Sequence, residues 1–111
     1  MTTSTTRSRI DSPTELFVGG GWRASSSGRT FEVVDPATGD VIASVADGDV
    51  ADAEAAMTAA RTAQASWAAT APRERSIILR RAFDLIIERT EELAAIITAE
   101  MGKPLGDARG E

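Results

Sequence analysis

The residues of this 111-residue sequence that could do chemistry are few, and their neighbours restrict what each can do. Asp47, Asp49 and Asp52 suggest a loop of oxygen ligands around a hard cation. Ala51, however, stands at one ligand position of that pattern, and Thr58 stands where a bidentate Glu should close it, so a capped, acidic helix start is the better reading. Gly102-Lys103 resembles the end of a phosphate-binding loop, but Ile97 replaces its first glycine and Pro104 replaces the hydroxyl that would hold magnesium. Gly19-Gly20-Gly21 lies between two short apolar runs and does not open a helix, so it offers no N-terminal amides to a pyrophosphate and reads as a turn. Ser25, Ser26 and Ser27 supply hydroxyls with no adjacent base to activate them. Arg73, Arg75, Arg80 and Arg81 cluster, yet Glu74 and Asp84 interleave with them and no aromatic platform accompanies them, which describes a solvated helix face. Trp22 and Trp67 read as packing anchors.

Two absences narrow the chemistry further. With no cysteine there is no disulfide framework, thiolate metal site or cysteine nucleophile, and with no histidine the commonest acid-base group is missing. A net charge of −5 argues against a nucleic-acid surface, which needs clustered cations. Arg80, Arg81, Asp84, Glu88 and Arg89 interrupt the most apolar region, so no run approaches the roughly 20 residues of a spanning helix. The first residues lack the apolar stretch of a secretory signal, and residues 1–14 are expected to form a disordered polar tail. A cytoplasmic location is expected.

The elements that must position these residues follow from patterning. Leu16-Phe17-Val18 and Trp22 flank the glycine turn and predict a first hairpin. Phe31-Glu32-Val33-Val34 and Val41-Ile42-Ala43-Ser44-Val45 predict a second, around Asp35-Pro36-Ala37-Thr38-Gly39-Asp40, with Pro36 opening a type I turn and Gly39 at a left-handed position. From Val50 the period becomes helical: Asp49 is the expected N-cap, and Ala53, Ala56, Met57, Ala60, Ala63 and Trp67 form the packing face. Pro72 starts a second helix with an apolar stripe of Ile78, Leu79, Ala82, Phe83, Ile86 and Ile87. Thr90 is expected to cap a third, buried along Leu93, Ala94, Ile97 and Met101. Gly102 closes it, and Pro104 suits the first turn of a fourth helix that is only begun. The prediction is two β-hairpins followed by three α-helices and the start of a fourth.

Four stretches, taken in order, carry a resemblance: Leu16-Phe17-Val18-Gly19-Gly20-Gly21-Trp22, Asp35-Pro36-Ala37-Thr38-Gly39-Asp40, Arg75 through Leu79, and Glu100-Met101-Gly102-Lys103-Pro104-Leu105. In order and spacing they resemble the start of an NAD(P)-dependent aldehyde dehydrogenase, over about Leu16 to Glu111. Asp35 stands where that family usually has Asn, a change the turn tolerates. The run from Lys103 to Glu111 looks most like succinate-semialdehyde dehydrogenases.

The resemblance implies an α/β parent with a Rossmann-type cofactor-binding domain, a catalytic domain and an oligomerisation element. Residues 15–111 would then be an incomplete N-terminal part of the first of these, on its exterior. The family's cysteine nucleophile, oxyanion-holding Asn and water-activating Glu all lie beyond Glu111 in its order. No catalytic, cofactor-binding or metal-ligating residue therefore carries over, and Glu100 and Lys103 match a motif without matching its catalytic groups. The expectation is a truncated piece, inactive and binding no NAD or NADP by itself, whose full-length form oxidises a small aldehyde, namely succinate semialdehyde to succinate, through a cysteine thioester. That form is expected to be a homo-oligomer, with no nucleic-acid or membrane partner. The alternative is a non-catalytic interaction protein that docks on a complete dehydrogenase subunit through the apolar stripes of its second and third helices.

Overall fold

The computed structural model describes residues 12–111. Its first strands, β1 (Leu16–Val18) and β2 (Gly21–Arg23), pair Leu16 with Arg23, Phe17 with Trp22 and Val18 with Gly21. Only Gly19 and Gly20 remain for the turn, at φ +63° and +84°. A two-residue hairpin loop with both residues left-handed matches the strand twist, and glycine reaches that conformation without a Cβ clash. The Phe17 and Trp22 rings meet across the strands, tilted 53° to each other with centroids 5.0 Å apart.

The second hairpin joins β3 (Thr30–Val34) to β4 (Val41–Ala46), with Val34 opposite Val41, Val33 opposite Ala43 and a register irregularity between Val33 and Val34. Its loop is built on Asp35, which is buried. The Asp35 carbonyl accepts from Thr38 N (3.3 Å) and Gly39 N (2.8 Å), and Asp35 Oδ1 accepts from Ala37 N (2.8 Å). Pro36 thus takes the first central position of a β-turn and Gly39, at φ +77°, the left-handed one, both as the sequence predicts. The two hairpins form separate two-stranded sheets among the described residues. The expected tail over residues 1–14 falls outside the described residues as far as residue 11; near its end, Thr14 O accepts from Ala46 N at 2.8 Å.

Four helices follow: α1 (Val50–Ala69), α2 (Pro72–Glu88), α3 (Thr90–Met101) and the single turn α4 (Leu105–Ala108). Asp49 caps α1 as predicted, and Asp52 answers it in a capping box. Pro72 occupies the first turn of α2, where its missing N–H removes no bond. Gly102 ends α3 at φ +77°, its N–H donating to Thr98 O at 2.9 Å.

Two boundary expectations are corrected. Thr90 is the first residue of α3 and makes no cap for it; its hydroxyl donates backward to Ile86 O (3.2 Å) and Ile87 O (2.8 Å), satisfying carbonyls left open at the end of α2. Arg89 alone separates the two helices, which leaves no room for a capping turn. Pro104 sits immediately before α4, and its carbonyl accepts from Ala108 N at 2.9 Å.

Burial departs furthest from expectation. Among the described residues only Ala94 and Ala108 are fully buried apolar side chains. The α2 stripe forms on one face, but Ile78, Leu79, Phe83, Ile86 and Ile87 are each at least 50% exposed. On α3, Ala94 is buried and Ile97 half-buried, while Leu93 and Met101 are exposed. On α1 Asp52 is buried and Ala55, Ala59 and Trp67 are half-buried, so of the expected face Trp67 is partly covered while Ala53, Ala56, Met57, Ala60 and Ala63 are exposed. These faces have no second layer of secondary structure packed over them among the described residues. A core requires two packed layers, and the exposed α2 stripe lacks the second.

Candidate functional site

The densest polar cluster lies where β2, the loop after it and the start of α1 meet. Asp52, only 4% exposed, accepts from Arg23 Nη2 (3.1 Å), from Ser26 N at both carboxylate oxygens (3.0 and 3.1 Å), from Ser26 Oγ (3.3 Å) and from Asp49 N (3.1 Å). Asp49 Oδ1 in turn accepts from Ser26 Oγ (2.8 Å) and Asp52 N (3.3 Å). The Asp49 N–H above all, followed by the N–H and hydroxyl of Ser26, holds the Asp52 carboxyl below the ordinary carboxylate range against the opposing effect of burial.

That shift decides the chemistry. A carboxylate stabilised in its charged form is a poor proton acceptor, so Ser26 is not an activated nucleophile despite its two carboxylate neighbours. Ser25 is buried and its hydroxyl donates to Arg29 O at 3.1 Å, which makes the serine run a loop fastening. Among the described residues no group of three or more His, Cys, Asp or Glu side chains is placed to hold a metal ion. The spacing of Asp49 and Asp52 announces their capping box in the sequence. Their bonds to Arg23 and Ser26 join positions more than twenty residues apart, and no local pattern signals those.

A second meeting point lies at the end of α3. A Cβ added to Gly102 would stand 3.3 Å from Pro36 Cγ, so the helix end rests on the turn of the second hairpin. Two stretches distant in sequence thereby share one contact. Gly102 closes a helix, and Lys103 is ion-paired with Glu111, so neither the amides nor the cation of a phosphate cradle is offered there. Arg109 grips Glu91 through two bonds, Nε to Oε1 at 2.8 Å and Nη2 to Oε2 at 3.2 Å. This forked contact lowers the Glu91 pKa and raises that of Arg109.

The arginine cluster does not converge. Arg80 pairs with Asp84 at 3.3 Å and lies 4.9 Å over the Phe83 ring, while Arg75 Nε is buried without a hydrogen-bond partner among the described residues. An open apolar cleft runs between the first turn (Phe17, Gly19, Gly20) and α1 (Ala56, Ala59, Ala63). It has no titratable lining, and neither tryptophan borders it. No helix among the described residues is long and apolar enough to cross a membrane.

Comparison with known proteins places this geometry in context. Residues 22–111 match the model of the aldehyde dehydrogenase family. The chain is similar to the crystal structure of succinate-semialdehyde dehydrogenase from Burkholderia pseudomallei, with 45% identity and a TM-score of 0.83 over 86% of this chain and 20% of that one. It is similar to an NADP-dependent enzyme of E. coli, at 36% identity and a TM-score of 0.85 over 87% of this chain and 20% of the other. It is also similar to an indole-3-acetaldehyde dehydrogenase of P. syringae, solved with NAD+, at 38% identity and a TM-score of 0.83 over 87% and 20%. The chain spans about one fifth of the length of each of these proteins.

Proposed function

The chain belongs to the aldehyde dehydrogenase family, and we propose that it forms the N-terminal portion of an enzyme that oxidises an aldehyde with NAD+ or NADP+. Within that portion the residues act as scaffold. They fix two hairpins and a helix end against one another and present the apolar faces of α2 and α3 to the remainder of the cofactor-binding domain. They do not fit a dinucleotide themselves: the glycine turn joins two strands, and Gly102-Lys103 closes a helix with its cation already paired.

The observation that carries this reading is the family match over residues 22–111, supported by the contact of Gly102 with Pro36, which brings two of the resembling stretches together. Succinate semialdehyde is the proposed substrate, supported by the run from Lys103 to Glu111 and by the 45% identity to one succinate-semialdehyde dehydrogenase. A cytoplasmic, homo-oligomeric full-length enzyme belongs to the same proposal, as does inactivity of the 111 residues alone. The test is twofold. DNA following the Glu111 codon should encode a glycine-rich cofactor segment and a cysteine, and their absence from every reading frame would overturn the enzyme reading. The longer product, assayed over a panel of aldehydes, should show its highest kcat/KM with succinate semialdehyde; preference for another aldehyde would reassign the substrate and leave the enzyme class intact.

The exposure of Ile78, Leu79, Phe83, Ile86 and Ile87 also favours a second reading, in which the chain docks on a complete dehydrogenase subunit without catalysing. Co-elution with a full-length homologue in gel filtration supports that reading, and separate elution removes it.

A further inference from the structure

The position of the first hairpin is poorly explained by apolar packing. Its largest side chains, Phe17 and Trp22, are 60% and 53% exposed, and among the described residues its strands pair only with each other. Its apolar approach to the helix side is open: Phe17 and Val18 face Ala56, Ala59 and Ala63 across the cleft, the Leu16 side chain lies near Gly48, and a Cβ on Gly19 would be 3.9 Å from Ala59 Cβ. By contrast, the buried Asp52 carboxylate takes hydrogen bonds from β2 through Arg23, from the following loop through Ser26 and from the α1 cap through Asp49. Charge-assisted bonds of this kind are about twice as strong as neutral ones, and the one from Arg23 reaches Asp52 from the hairpin itself.

We infer that Asp52 is a latch: its charged carboxylate holds the first hairpin against α1, and loss of that charge releases the hairpin and widens the cleft between the Gly19-Gly20 turn and α1. The charged groups that face Asp52 are Arg23 from β2 and Asp49 from the cap; Ser26, from the loop, is neutral. Protonation would leave the Arg23 guanidinium without its counter-charge, because guanidinium does not deprotonate. The lowered pKa sets the direction: the latch is closed at neutral pH and opens as pH falls through the folded-state value.

Nuclear magnetic resonance on the full chain tests this through the contact between the Gly19 α-protons and the Ala59 methyl, together with amide exchange at Ser26 and Asp49. In the wild type the contact should be present at neutral pH and disappear in acid. In Asp52→Asn it should be absent at every pH, with both amides exchanging at least tenfold faster. Asp49→Asn should retain the acid-dependent release, which separates the two carboxylates. Should Asp52→Asn lose its α1 signals, Arg23→Gln provides the second variant: it should speed exchange at Ser26 while α1 helicity stays unchanged. Persistence of the contact in Asp52→Asn or in acid would overturn the inference. So would its absence from the wild type at neutral pH, or an Arg23→Gln variant with unchanged exchange.

Discussion

The region around Asp52 and the outer face of α2 are opposite solutions to the same problem. Around Asp52 a short hairpin, a serine loop and a helix cap, none of which could bury much apolar surface, are joined by polar groups that satisfy one another within the chain. On α2 the apolar groups are plentiful, yet Ile78, Leu79, Phe83, Ile86 and Ile87 stay at least half exposed among the described residues. One region satisfies its own polar groups, and the other leaves its apolar groups exposed. The difference shows why a segment rich in recognisable motifs carries almost no core among its described residues: the motifs fix turns and helix ends, and burial needs a second layer packed on the apolar faces.

Substitutions should separate the two regions sharply. Gly102→Ala places a side chain at φ +77° and 3.3 Å from Pro36 Cγ, and the left-handed conformation alone should cost about 1 to 2 kcal/mol, read as a lower denaturation midpoint by circular dichroism. Asp49→Ala removes the α1 cap and should cost about 1 kcal/mol in the same measurement.

The response to acid comes next. Asp52 and Glu91 both have lowered folded-state pKa values, so their contributions are present above the unfolded carboxylate pKa and are lost as pH falls through the folded values. The loss at Glu91, whose pair with Arg109 is exposed, should be the smaller and should shrink further in high salt; a titration of helicity with and without salt checks both. The smallest effect is expected from Phe83→Ser, within about 0.5 kcal/mol in this chain, as for any uncovered position. The same substitution in a form where that face is covered should cost about 3 kcal/mol or more. A large effect of Phe83→Ser here would erase the contrast.

How legible this was in the sequence depended on the range of the interaction. The Gly19-Gly20 turn, the Pro36 and Gly39 positions, the Asp49 cap and the Gly102 stop were all readable, because each is decided by one residue's φ or by a side chain reaching its own neighbours. Thr90 misled, since its hydroxyl serves α2 behind it rather than α3 ahead of it, and a threonine between two helical patterns suits either role. The α2 stripe was predicted in position but not in burial. Periodicity shows which face is apolar, and it carries no information on whether anything lies against it. The Asp52 contacts with Arg23 and Ser26 were invisible because they depend on the path of the chain between them. The missing cysteine and histidine are plain in the sequence, whereas the meeting of two motif stretches at Pro36 and Gly102 is not, because it too depends on the path of the chain.

The account rests on this chain being the scaffold portion of an aldehyde dehydrogenase whose reacting groups lie elsewhere, and complementation tests that most directly. The purified chain is mixed with a family enzyme from which the corresponding N-terminal segment has been removed, and aldehyde-dependent formation of reduced nicotinamide is followed. The account predicts no signal from either component alone and turnover from the mixture. Reduced nicotinamide from the 111-residue chain by itself, or a mixture that stays inactive, would contradict it.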